Sequence, residues 1–126
     1  QSDKAWRYAL PVTCHGPGKP LTLNWANVVQ AVIDDIGAGV GRPQIAAAFH
    51  RALADAIVAV ARRQHQSQIV LTGGCFQNRL LTEMAIERLR AAGFTPYWHR
   101  DLPPNDGALA LGQAVWTTRL AEREKV

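Results

Sequence analysis

From Trp25 through Val28, Val29, Val32 and Ile33 to Ile36, apolar residues recur at helical spacing, which predicts a first helix opened by Asn24 and ended at Gly37. A second stripe, Ile45, Phe49, Leu53, Ile57 and Val60, continues to about Arg63 behind Pro43 and predicts the longest helix. Its alanines at 46, 47, 48, 52, 54, 56, 59 and 61 raise helix propensity and leave a smooth surface, and core packing accounts for the whole stripe. The period then changes. Gln68–Thr72 reads as a short strand, Gly73-Gly74 as a tight turn, and Cys75-Phe76-Gln77-Asn78 as the opening of a helix. That helix is expected from Asn78 to about Ala92, burying Leu81, Met84, Ala85 and Leu89 and stopping at Gly93. A second strand, 94–99, completes a βαβ unit, expected to be parallel with a right-handed crossover, and Pro96 sets that strand at an edge. The last helix, Asp106 to about Leu120, carries Leu109, Ala110, Val115, Trp116 and Leu120, with Gly112 permitting close packing.

The first twenty residues carry Pro11, Gly16, Pro17, Gly18 and Pro20 and read mostly as loop, with 6–10 a candidate edge strand. Gly37-Ala38-Gly39-Val40-Gly41 follows a helix instead of a strand and lacks dinucleotide-loop spacing, so it reads as a helix stop and linker. The expected fold class is α/β, a small sheet with a βαβ unit packed by about four helices. With 126 residues and 48% hydrophobic content the chain suffices for one domain with a real core. No apolar run approaching a membrane span is read in it, nor a signal peptide, and without an initiator Met it is expected to be an excised piece. A soluble protein of a reducing cytoplasm is expected. The net charge of +4 is scattered, mildly favouring anionic ligands, and its basic residues lack the interleaved aromatics of a nucleic-acid surface. Cys14 and Cys75 form no Cys-x-x-Cys pair, and Cys14-His15 has no second pair to complete a zinc site.

Chemistry concentrates at two turns. Glycines after a strand let backbone N–H groups face phosphate oxygens, and the helix behind adds its positive end, so Gly73 and Gly74 are candidate phosphate ligands. Asn78 could bind ribose or phosphate, or cap its helix, and local physics favours the cap. Thr72 ends its strand at the usual ligand edge of an open α/β sheet. At Pro103-Pro104-Asn105-Asp106-Gly107 the carboxylate of Asp106 opens a helix, where the dipole alone would favour it, and Gly107 leaves space beside it for a metal or phosphate. Cys75 reads as a small buried thiol and His50 as structural or solvated. Serine-hydrolase elbows and Walker lysine motifs are absent.

The run 71–81 (LTGGCFQNRLL) and the run 102–114 (LPPNDGALALGQA) closely resemble the C-terminal end of HypF-type carbamoyltransferases of [NiFe]-hydrogenase maturation. Ala47-Ala48-Phe49-His50 fits the same family, so the likeness runs from about Asn24 to Trp116. The Asn-Asp-Gly and Gly-Gly-x-x-x-Asn turns mark the wider actin-like ATPase superfamily, in the branch shared with tRNA threonylcarbamoyl transferases and O-carbamoyltransferases. The resemblance implies a single lobe of the actin-like, ribonuclease H-like fold, with residues 1–23 a loop-rich segment and 24–126 the C-terminal lobe of a Kae1-like carbamoyl-transfer domain. It implies ATP and carbamoyl phosphate as substrates, carbamoyl-adenylate as intermediate, and the C-terminal cysteine of a HypE-type maturation protein as acceptor. Gly73, Gly74 and Asn78 would then line the nucleotide, and Asp106 would bind a divalent metal, whether iron, zinc or magnesium. The paired histidines that complete that metal site in the branch do not occur here as His-x-x-x-His. The isolated chain is therefore expected to hold half a site, to bind nucleotide weakly, and to pair with the preceding lobe or with a second copy. Alternatives are a lobe with a sugar hydroxyl or tRNA adenosine as acceptor, and a non-catalytic interaction module.

Overall fold

A computed structural model describes residues 8–16 and 18–123. Its order is β1 (Val12–Cys14), β2 (Leu21–Leu23), α1 (Ala26–Gly37), α2 (Arg42–Ala61), β3 (Gln68–Leu71), α3 (Arg79–Ala91), β4 (Thr95–Trp98) and α4 (Leu109–Arg123). One 3-10 turn, Gly74–Gln77, precedes α3, and another, Asp106–Ala108, precedes α4. The α/β class, the four helices and the parallel βαβ unit are as the pattern predicts, with β3 and β4 in the register Ile69↔Pro96 and Leu71↔Trp98.

The N-terminal segment departs from the loop reading: β1 and β2 form an antiparallel ribbon, tied across by His15 and Thr22 at 2.9 Å. Alternating β-branched and apolar residues on either side of the turn at Gly16 and Gly18 suffice for a ribbon this short. Tyr8–Leu10 is not a strand, and Trp6 and Arg7 lie outside the described residues.

Burial on α2 also runs against expectation. Its buried positions are Ala48, Ala52, Ala54, Ala56, Val58 and Ala61, whereas Ile45, Leu53, Ile57 and Val60 are half-buried and Phe49 is exposed. Alanines let α1 and α3 approach α2 closely, turning the larger side chains toward open grooves. One such groove, apolar and 510 Å³ in volume, runs beside β3 between Leu23, Leu53, Ile57, Val60 and Phe76. By length and composition, with mean hydropathy 1.3, α2 is also long and apolar enough to cross a membrane, contrary to the sequence reading. In this fold it is the central helix, and Arg88 of α3 pairs with its Asp55.

The main core joins Val58 and Ala61 to Leu71, Ala85, Ile86 and Leu89; Ile86 takes the buried place expected of Met84, which is half-buried. A second cluster sets Tyr8 and Val28 against Ala48 and Ala52. Tyr8 Oη donates to Asp35 Oδ2 at 2.6 Å. Burial first, then that hydrogen bond and the carboxylate charge, push the phenol up to about 12.

Side chains of β3 alternate, so Ile69 and Leu71 face the helices while Val70, 67% exposed, and its partner Tyr97 face outward. From Leu109 to Ala121 every side chain of α4 is exposed, and nothing comes within 4 Å of a Cβ placed on Gly112. The close packing expected there does not occur within the described residues.

Candidate functional site

The C-terminal ends of β3 and β4 bring the two predicted turns together. Gly73 N–H donates to the carbonyl of Pro104 at 2.7 Å, clasping the Gly-Gly turn to the Pro-Pro-Asn-Asp-Gly loop. Beside this clasp Thr72 Oγ1 meets His99 Nε2 at 2.9 Å, each one residue beyond the strand ends. Gly73 holds φ +105° and ψ 160°, a region L side chains rarely enter, while a Cβ on either glycine would meet nothing within 4 Å. The space over the turn is open.

Because Gly73 N–H is spent on Pro104, the donors left to a ligand are its neighbours. Phe76 N–H bonds to Gly73 O, and among the described residues the N–H groups of Gly74 and Cys75 have no partner. Cys75–Gln77 does not open the long helix; the chain makes a separate 3-10 turn and restarts at Asn78. Thr82 Oγ1 sits 3.0 Å from the carbonyls of both Phe76 and Asn78, holding the turn on the first turn of α3. Cys75 is exposed, not buried, because the 3-10 turn stands proud of the core.

Asn78 caps α3, its Oδ1 accepting from Leu81 N–H at 3.2 Å. Its Nδ2 donates to His50 Nε2 at 2.8 Å, a contact the sequence reading missed. Nothing local signals it, since the partners lie 28 residues apart. Thr72 and His99 could have been paired by extending the parallel register by one residue.

At the second loop the cap is Asn105, whose Oδ1 accepts from Gly107 N–H at 3.0 Å. A Cβ on Gly107 would stand 3.0 Å from that same oxygen, so glycine spares the capped turn a tight contact. The Asp106 side chain is exposed and takes no hydrogen bond among the described residues, unlike a capping carboxylate. Nor do three His, Cys, Asp or Glu side chains gather to hold a metal among those residues. A metal at Asp106 would need its other ligands from elsewhere.

Among the described residues this edge gathers two unpartnered N–H groups, an oriented amide, a clasped second loop and one free carboxylate. Beside these groups the Thr72 hydroxyl lies 2.9 Å from His99 Nε2.

The family described as carbamoyltransferase, Kae1-like domain, second subdomain, matches residues 1–113. Carbamoyltransferase HypF of Synechocystis sp. is 38% identical over 105 residues, 83% of this chain and 13% of that protein. HypF2 of Cupriavidus necator is 38% identical over 95 residues, 75% of this chain and 12% of that protein. A crystal structure of full-length HypF in the phosphate- and nucleotide-bound form superposes with a TM-score of 0.80 at 28% identity, over 92% of this chain and 16% of that one. The chain thus spans about an eighth of the length of the curated relatives it matches. With the family covering nine-tenths of its residues, the chain belongs to the HypF-type carbamoyltransferases, as the second subdomain of their Kae1-like domain.

Proposed function

We propose that this chain is half of the nucleotide site of an ATP-dependent carbamoyltransferase. The Gly73-Gly74 turn and Asn78 line the nucleotide, and Asp106 contributes one ligand to a divalent metal whose remaining ligands come from a preceding lobe. In the whole enzyme, ATP and carbamoyl phosphate yield carbamoyl-adenylate, and the carbamoyl group passes to the C-terminal cysteine of a HypE-type protein in the cytoplasm, toward the cyanide ligands of [NiFe] hydrogenase. The metal, when bound, neutralises phosphate charge; this chain's own part is to hold the anion with N–H groups already oriented.

The observation that carries this reading is the Gly73–Pro104 clasp, which holds the turn bearing the Gly74 and Cys75 N–H groups against the loop in which Asp106 follows two residues later. Support also comes from the uncovered surfaces. Parallel sheets are ordinarily covered on both faces, yet Val70 and Tyr97 are open, as is α4 from Leu109 to Ala121, which fits a lobe built to meet other parts of a larger chain.

The test is replacement of the second subdomain of a full-length relative by this chain. Carbamoylation of the acceptor cysteine, followed by mass spectrometry, is expected to persist and to fall about a hundredfold with Asp106→Ala. Unchanged transfer with Asp106→Ala would contradict the assignment, leaving an interaction module as the better reading.

A further inference from the structure

His50 lies outside both predicted turns, half-buried on α2, yet its ring settles how the Asn78 amide is turned. The logic starts at Leu81: its N–H can only donate, so the Asn78 atom facing the helix is Oδ1. The atom facing His50 is then Nδ2, a donor, which requires His50 Nε2 to be the unprotonated acceptor at 2.8 Å. The ring proton therefore sits on Nδ1, which donates to the Ala46 carbonyl at 2.7 Å. Each of the four groups is satisfied in only one arrangement. Two capacities of the amide remain, one N–H and one lone pair, on a side chain whose rotation is now blocked from two directions.

We propose that His50 is a positioning residue for the nucleotide site, acting through Asn78: it fixes the amide so that its second N–H is presented to a phosphate or ribose oxygen. This rests on the reading that Asn78 contacts nucleotide. A purely structural His50 would tie α2 to α3 and leave ligand affinity alone. A positioning His50 needs an acceptor at the Nε2 location, and its effect vanishes once the amide is gone.

The experiment is an NMR titration of the 126-residue chain with ATP and magnesium, followed at the 73–78 amides, together with the nitrogen shifts of the His50 ring. The ring is expected as the Nδ1–H tautomer. His50→Ala should weaken ATP binding about three- to tenfold, the worth of one oriented hydrogen bond. His50→Gln, which can offer Oε1 to the amide, should restore most of it. In an Asn78→Ser background, which keeps a capping oxygen but no amide, His50→Ala should change nothing further. Should His50→Ala fail to fold, His50→Gln and the ring tautomer still decide the matter: an Nε2–H ring overturns the proposal. Equal affinity for wild type and His50→Ala, or additive losses with Asn78→Ser, also overturns it while the nucleotide reading stands. If ATP leaves the wild-type 73–78 amides unmoved, the nucleotide reading falls and takes this proposal with it.

Discussion

Gly73 carries both a backbone conformation other residues avoid and the hydrogen bond that joins the two loops. Gly73→Ala is expected to cost about 1–3 kcal/mol, read by urea denaturation, whereas Gly74→Ala, at ordinary φ with open space around it, should be near neutral. Tyr8 makes a second residue-scale prediction. Its folded pKa, raised from 10.0 to about 12, means that stability holds below pH 10 and declines as pH rises from there through 12, because the unfolded phenol ionises first. Tyr8→Phe should flatten that decline. Residue types were legible in the sequence but their assignments less so. Asn105 and Asp106 are adjacent and both can cap, and only the backbone shows that Asn105 takes the cap and frees the carboxylate. For Asn78 the sequence favoured the cap over ligand contact, and the cap is present; its second bond, to His50, depends on how α2 lies against α3.

Among the elements, helices and strands were legible because periods of 3.6 and 2 record which positions repeat. What the period cannot record is which layer lies opposite. On α2 the large stripe was read as core, yet the alanines hold that place because close helix–helix approach needs small side chains. Among the described residues Leu89 is the one large side chain essentially fully buried, so Leu89→Ala is expected to cost about 2–5 kcal/mol by denaturant unfolding. Removing α4 after Ala108 should shift that same unfolding free energy by no more than about 0.5 kcal/mol, since among the described residues none of its side chains belongs to either core cluster.

For the whole molecule, two small clusters support much exposed apolar surface: Trp25 is 69% exposed, Trp116 is 62% exposed, and the outer sheet face is open. Patches of this kind ordinarily mark association sites, so sedimentation is expected to show concentration-dependent self-association, reduced when α4 is removed. The central claim is narrower: the 73–78 turn and the 103–107 loop face one anion. A titration of the isotope-labelled chain with ATP and magnesium, read at the backbone amides of both segments at once, tests it most directly. Both sets of resonances are expected to move along one shared binding curve, with a dissociation constant weaker than micromolar; movement of only one segment, separate curves, or shifts confined to the apolar grooves would contradict it.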